Sequence, residues 1–116
     1  MMSDLNYQWK LARRPIGDIR NEDLSWHKGS VASPNHGEVL VRTIYLSLDP
    51  TNRIWMSDMD QYMPPVELGE VMRGGGMGEV LETRHPGYKT GDIVTGLFGW
   101  QTYSTVNGNN IRMSIP

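Results

Sequence analysis

Polar residues able to bind a ligand gather directly after the most apolar stretch of the sequence. T-I-Y-L-S-L at 43–48 runs into Asp49, Pro50, Thr51, Asn52 and Arg53. These residues offer a carboxylate, a hydroxyl, an amide and a guanidinium. At the end of a strand, such a group either closes a turn or forms the wall of a binding site.

A second candidate group is aromatic. Phe98, Gly99 and Trp100 lie between two predicted strands, with the glycine separating two large rings. Rings at such a junction either pack into a core or line an apolar cleft, and the residue types favour both possibilities equally. Together with residues 49–53, these aromatic residues form a rim of strand ends, which is the candidate site.

Other chemistries find little support in the sequence. There is no cysteine, which excludes disulfides, thiolate catalysis and thiolate zinc sites. His27, His36 and His85 stand in separate turn-like or polar contexts without metal-ligand spacing, and Asp58 with Asp60 lacks the calcium-loop pattern. We therefore predict solvated histidines and no metal.

Composition limits the class of protein further. The chain has 116 residues, 38% of them apolar, with 11 Lys and Arg against 13 Asp and Glu. This length fits one domain over residues 1–116, and the balanced charge predicts neither nucleic acid nor an anionic membrane as partner. The N-terminus lacks the apolar run of a signal peptide, which favours a cytoplasmic protein.

The glycine cluster at 74–78 resembles a phosphate-binding loop only superficially. A dinucleotide fingerprint places its glycines before a helix, whereas the residues that follow here, E-V-L-E at 79–82, read as a strand. No Walker pattern is present either. The cluster predicts a bent or bulged strand.

Alternating apolar residues predict short strands that would position both groups. Tyr7, Trp9 and Leu11 alternate with polar residues, and residues 23–32 form a second candidate strand. The longest strand is predicted over 38–48. The remaining strands are predicted at 79–83, 93–98 and 100–106.

Two connections complete the predicted organisation. Proline cannot pair in a sheet, and Asp49 can cap a helix, so a short helical turn is predicted over 51–55. Residues 56–66, which contain consecutive prolines, are predicted to be a surface loop that overhangs a cleft. Six or seven strands with little helix indicate an all-β barrel or sandwich.

Several short motifs follow one another in a characteristic order. They are G-E-V-L-V-R at 37–42, Y-L-S-L-D-P at 45–50, Arg53, Gly74-Gly75, Gly91-Asp92 with Val94, and Gly99-Trp100. Their order resembles the N-terminal domain of zinc-independent medium-chain dehydrogenases/reductases, in the group of prostaglandin, leukotriene B4 and curcumin reductases (alkenal/one oxidoreductases). Zinc-using relatives carry a cysteine near position 47 and Gly-His-Glu near the glycine cluster, and both are absent here.

The resemblance implies a GroES-like, partly open β-barrel with one or two short helical turns. It also implies reduction of the carbon–carbon double bond of α,β-unsaturated aldehydes and ketones, with NADP(H) bound mainly by a Rossmann-type domain outside these 116 residues. The substrate would be a small enone or quinone, and the full-length protein a homodimer. We expect the 116-residue chain alone to bind NADPH weakly and to catalyse little.

The same resemblance assigns roles to the two candidate groups. Thr51 and Phe98-Gly99-Trp100 would contact substrate, and the other residues of 49–53 would lie beside the cofactor: Asp49, Pro50, Asn52 and Arg53. The family usually has Tyr-Met at 51–52, so Thr51 predicts a wider pocket, a bridging water or a different substrate. Arg53 could instead form an ion pair with Asp49 or with a carboxylate of the loop.

Two alternative functions remain at this point. A GroES-like barrel also serves assembly in co-chaperonins, which needs a mobile apolar loop, and the methionines of residues 56–66 are compatible with that use. A quinone or enoyl reductase of the same superfamily would differ in substrate alone.

Overall fold

The computed structural model describes residues 5–48, 51–57 and 64–114. One α-helix, α1, spans Thr51–Trp55, and single 3-10 turns span Asn21–Asp23 and Gly108–Asn110. The mainly β prediction is confirmed, with three helical turns where one or two were expected. The strands of the described residues are β1 (Leu5–Leu11), β2 (Leu24–Ser30), β3 (Glu38–Leu46), β4 (Gly76–Thr83), β5 (Ile93–Gly96), β6 (Tyr103–Asn107) and β7 (Arg112–Met113).

The strands form two antiparallel sheets. β1 and β2 make a two-stranded sheet in which Trp9 lies opposite Trp26. The other five strands are ordered β6-β3-β4-β5-β7, with β4 at the centre. Bridges from Gln8 to Gln101 and from Lys10 to Val71 connect β1 to segments beside the larger sheet.

β3 is the longest strand, as predicted, but its apolar residues do not share one buried face. Its register with β4 shifts between Leu40 and Val41 and again between Thr43 and Tyr45. A bulge changes the side to which later residues point. Leu40 is fully buried, whereas Ile44 is 42% exposed and Leu48 lies beyond the end of the strand. The bulges therefore separate the buried first half of β3 from its exposed end, and the strand ends at Leu46, two residues before the predicted end at 48.

The bent strand predicted from the glycine cluster is confirmed. β4 begins at Gly76, and its first residues pair with β3 where the register shifts. A Cβ built on Gly78 would lie 2.7 Å from the carbonyl oxygen of Arg42. Main chain cannot withdraw from such a contact without distorting the sheet, so this position of β4 excludes a side chain.

The buried apolar residues form two clusters, which we call the sheet core and the hairpin core. The sheet core lies on the larger sheet and the hairpin core beside β1 and α1. Because Met56 and Val66 belong to the hairpin core, the ends of the 56–66 segment are packed, contrary to the predicted surface loop; residues 58–63 lie outside the described part. The sheet core contains Val39, Val41, Val80, Val94, Phe98 and Ile111, and the hairpin core Leu11, Met56, Val66 and Met72.

Asp23 closes the connection between β1 and β2. Its Oδ2 accepts a hydrogen bond from the Arg20 main-chain N–H at 2.8 Å, and its Oδ1 accepts one from Arg13 Nε at 3.0 Å. The bond from Arg20, supported by Arg13, lowers the pKa of Asp23 below its usual value despite the opposing effect of burial. The ionised carboxylate therefore stabilises this connection.

One further prediction needs correction. The fifth strand ends at Gly96, so Phe98 follows it and does not belong to it. His27 is exposed within β2, inside the strand predicted over 23–32, with its ring 3.0 Å from Ser25 Oγ. Within the described ranges, no helix has the length and apolar character needed to span a membrane.

Candidate active-site cleft

An open cleft of about 750 Å³ lies where the ends of three strands meet. β3 and β5 end at the same edge of the sheet at which β4 begins, because β4 is antiparallel to both. The 3-10 turn at Gly108–Asn110 and the start of β7 close the remaining side. The lining residues are Tyr45, Leu46, Ser47, Gly75, Gly76, Met77, Thr95, Gly96, Leu97, Asn109, Asn110, Ile111 and Arg112.

The walls of the cleft combine apolar surface with a few hydrogen-bonding groups. Leu46 and Leu97 contribute aliphatic side chains, and Tyr45, Ser47 and Thr95 contribute hydroxyl groups. Tyr45 is 69% exposed, and its hydroxyl makes no hydrogen bond within the described residues. Binding sites for small organic molecules have this character, with apolar walls and few placed polar groups.

The helical turn predicted after the apolar stretch is confirmed, but none of its residues lines the cleft. Asp49 and Pro50 lie outside the described residues. Thr51 is exposed at the start of α1, and Asn52 is 5% exposed. The Nδ2 atom of Asn52 is buried without a hydrogen-bond partner in the described part of the chain. Their predicted contacts with substrate and cofactor stay predictions.

Arg53 binds main-chain carbonyl groups from a distant loop. Its NH2 atom donates to the carbonyl oxygens of Pro15 at 3.1 Å and Gly17 at 2.9 Å, and its NH1 donates to Ser57 Oγ. Arg14 reinforces the contact by donating to the Met56 carbonyl oxygen at 2.9 Å. Arg53 thus fastens α1 to residues 12–20. The predicted ion pair with Asp49 falls outside the described residues.

Phe98, Gly99 and Trp100 occupy different surroundings. The Phe98 ring is 1% exposed and belongs to the sheet core. Gly99 has a φ of +82°, which favours glycine there. Trp100 packs against the hairpin core, and its Nε1 is buried without a partner among the described residues. Their roles in substrate binding stay predictions, and it is the neighbouring Leu97 that lines the cleft.

The main chain around Trp100 is firmly held. Its N–H donates to the Met72 carbonyl oxygen at 2.8 Å, and its own carbonyl oxygen accepts from Trp9 at 2.9 Å. The Gly99 N–H donates to the Gly74 carbonyl oxygen at 3.0 Å. A Cβ built on Gly74 would lie 2.7 Å from Cδ1 of the indole. The indole consequently lies against glycine main chain behind the wall that carries Leu46.

Several lining residues were not identified from the sequence. Tyr45 belongs to the quoted stretch, but nothing in its alternation indicates that the end of β3 is exposed. Leu97 could have been identified, because adjacent residues of an extended chain point to opposite sides and its neighbour Phe98 was a candidate for the core. Arg112, the single charged lining residue within the described residues, had no signal of its own.

The histidines of the described residues do not converge on the cleft as a metal site. His85 has its Nε2 at 3.1 Å from Asn109 Oδ1, and its Nδ1 accepts from the Gly87 N–H at 2.9 Å. Across 5–48, 51–57 and 64–114, no three His, Cys, Asp or Glu side chains are grouped closely enough to bind a metal ion. Asp58 and Asp60 lie outside these ranges.

Comparison with known proteins places this architecture in a family. Residues 7–114 match the family described as the N-terminal domain of oxidoreductase. The chain is 46% identical over 106 residues to the NADPH-dependent curcumin reductase of Escherichia coli strain K12, covering 91% of this chain and 31% of that protein. It is 33% identical over 104 residues to prostaglandin reductase 1 of Rattus norvegicus, covering 90% of this chain and 30% of that protein.

The fold is similar to that of a solved relative. The crystal structure of CurA in complex with NADPH from Vibrio vulnificus matches with a TM-score of 0.87 and 36% identity, covering 94% of this chain and 32% of that chain. This chain therefore spans about a third of the length of its relatives. The match to an oxidoreductase domain argues against the co-chaperonin alternative and confirms the GroES-like fold. The chain belongs to the family of oxidoreductase N-terminal domains found in the medium-chain dehydrogenases/reductases, in the group that includes curcumin and prostaglandin reductases.

Proposed function

We propose that this chain is the substrate-side domain of an NADPH-dependent oxidoreductase that reduces the carbon–carbon double bond of α,β-unsaturated aldehydes and ketones. The observation that carries the proposal is the cleft at the ends of β3, β4 and β5, directly before the segment at 49–53. Its volume of about 750 Å³ lies in the range of small-molecule sites. The 46% identity to an NADPH-dependent curcumin reductase supports the NADPH-dependent reductase part of the proposal.

The cleft suits a planar conjugated substrate. Leu46 and Leu97 supply apolar surface on which a flat, conjugated carbonyl compound loses contact with water. Tyr45 and Ser47 belong to the same lining, and a hydroxyl group is able to donate a hydrogen bond to a carbonyl oxygen. An arrangement of this kind orients the substrate by its oxygen while its carbon skeleton remains in apolar surroundings.

The residues present are compatible with the nicotinamide end of NADPH. Gly76 has no side chain on the lining, so a flat ring can approach the main chain there. No glycine-rich turn before a helix occurs within the described residues, so we expect the phosphate groups to bind outside this chain. When bound, NADPH supplies the hydride that the β-carbon of the substrate receives.

The contribution of this chain is to stabilise the charge that develops on the substrate oxygen. Addition at the β-carbon moves electrons toward the carbonyl oxygen, which becomes an enolate. Hydroxyl donors already directed at that oxygen stabilise the enolate without reorganising at the moment of reaction. Tyr45 and Ser47 are the candidate donors, and they are the more important because Thr51 is shorter than the tyrosine usual in the family. A proton from water at the open side of the cleft then completes the saturated product.

The test uses the full-length gene product with NADPH and 4-phenyl-3-buten-2-one. We expect NADPH consumption and a ketone product heavier by two hydrogen atoms in mass spectrometry, with no consumption on the saturated analogue 4-phenyl-2-butanone. The 116-residue chain alone should show little turnover. An alcohol product would contradict the proposal, and turnover of quinones without turnover of enones would favour the quinone reductase alternative.

A further inference from the structure

Gly75 and Gly76 line the cleft and follow directly after Gly74, and each of these three consecutive glycines has different surroundings. Gly74 lies against the Trp100 indole, as described above. A Cβ built on Gly76 would lie 2.6 Å from the carbonyl oxygen of Tyr45. A Cβ built on Gly75, by contrast, meets no atom within 4 Å. Close packing requires glycine at 74 and 76, while the space beside Gly75 is empty.

The backbone at Gly75 does not require glycine either. Its φ is outside the left-handed region, which among the glycines includes only positions 17, 37, 69, 91 and 99. Its carbonyl oxygen accepts a hydrogen bond from the Ser47 N–H at 2.9 Å, which fixes the main chain against the end of β3. A residue with a side chain can adopt this conformation without strain.

Gly75 is the exception among the thirteen glycines of the chain. Each of the other twelve either adopts a positive φ or has a neighbouring atom within 4 Å of a built Cβ. Packing and backbone geometry thus account for glycine at these positions, including both glycines beside Gly75, with the exception of Gly29, whose built Cβ would make only an ordinary contact at 3.5 Å. What distinguishes position 75 is that it lines the cleft, where a side chain would extend into empty space.

We infer that Gly75 determines how large a substrate the cleft accepts and is therefore a specificity-determining residue. Without a side chain at 75, the wall leaves room for enones that carry a bulky group, such as an aryl ring, beside the apolar surface of Leu46 and Leu97. A side chain at this position excludes such substrates and leaves small enones unaffected. The inference rests on the proposed function and adds a size class to its substrate.

The experiment compares Gly75→Val and Gly75→Ala with the unmodified full-length protein. kcat/KM is measured for 4-phenyl-3-buten-2-one and for the small enone 3-buten-2-one. We expect Gly75→Val to lower kcat/KM for the aryl enone by roughly 10-fold to 200-fold, at least the effect of one misplaced methylene in an apolar pocket. The value for 3-buten-2-one should change by less than about threefold, and Gly75→Ala should give an intermediate ratio.

Gly29→Val is the matched control. Gly29 lies in β2, away from the cleft, and a Cβ built there meets only the Gln8 side chain, at 3.5 Å. Both substrates should retain their kcat/KM values in this variant. Equal losses for both enones in Gly75→Val, or an unchanged ratio between them, would overturn the inference. Gly75→Ala decides in the same way if the valine variant does not fold.

A binding measurement separates this inference from the proposed function. Quenching of tryptophan fluorescence by 4-phenyl-3-buten-2-one gives its Kd without turnover. We expect Gly75→Val to weaken this binding by about tenfold or more, corresponding to the loss in kcat/KM. If the unmodified protein reduces neither enone, the proposed function fails. The ratio of the Kd values of Gly75→Val and the unmodified protein still decides the role of Gly75. Equal Kd values would refute it.

Discussion

The two ends of β3 differ although both are apolar. Leu40 and Val41, near its start, are fully buried. Tyr45 is 69% exposed at its end, and Leu48, just beyond, is 76% exposed. The neighbours explain the difference, since β6 pairs with β3 only as far as Arg42, whereas the end of the strand borders the cleft.

Apolar character alone therefore does not identify the residues of the core. At the start of β3, apolar side chains are packed between strands and contribute to the stability of the fold. At its end, similar side chains form the wall of an open cleft, where contiguous exposed apolar surface is typical of a binding site. One strand therefore packs into the core along its first half and lines the cleft along its second half.

The largest effect should come from the buried end. We expect Leu40→Ala to lower the free energy of unfolding by about 2–5 kcal/mol, because the side chain is fully buried and its loss leaves a cavity. Leu48→Ala is the control for the exposed end and should change the same free energy by less than about 0.5 kcal/mol. Urea titration followed by circular dichroism measures both.

Similar losses of unfolding free energy in the two variants would contradict the difference between the two ends of β3. They would mean that Leu48 is covered in solution and that the exposed end of β3 contributes to the core. Unequal losses of the expected size, with the same dependence on urea, would instead establish that only the first half of the strand stabilises the fold.

The elements with strong local signals could be predicted from the sequence. Alternation in Tyr7, Trp9 and Leu11 located β1, and Pro50 with the residues after it located α1. The bend at the glycine cluster followed from the strand-like residues after it. These features depend on residues close to one another in the chain, so the local pattern contained the necessary information.

The candidate site was harder to predict from the sequence, because it depends on contacts between distant segments. The register shifts within β3 turn its end outward, and they arise from pairing with β4, about forty residues away. Arg53 binds the carbonyl oxygens of Pro15 and Gly17, which no side-chain pattern records. Period-two alternation shows that Leu97 and Phe98 point to opposite sides, but not which of them points inward.

A smaller effect should follow from releasing the helix after the exposed end of β3. Arg53→Ala removes the hydrogen bonds to Pro15 and Gly17, and we expect it to lower the free energy of unfolding by about 1–3 kcal/mol. Arg42→Ala is the control. It breaks an exposed ion pair with Glu79 and should cost less than about 1 kcal/mol. Equal costs would show that α1 does not depend on this contact.

The smallest effect concerns the loop that Arg53 holds, whose far end is fastened by Asp23. The pKa of Asp23 is lowered in the folded chain, mainly by the hydrogen bond from the Arg20 main-chain N–H. A group with a depressed folded pKa stabilises the protein above its unfolded pKa, which is about 3.9 for aspartate. That stabilisation is lost as the pH falls through the lower, folded pKa.

Asp23→Asn removes this dependence, because an amide does not titrate. We expect the variant to be less stable than the unmodified chain at pH 7 and the difference in unfolding free energy to shrink steadily as the pH falls below about 4. Urea titrations between pH 7 and pH 2.5 measure it, and Asp18→Asn, in the same loop, is the control. If the difference in unfolding free energy does not depend on pH, Asp23 holds the loop through its shape and hydrogen bonds and not through its charge.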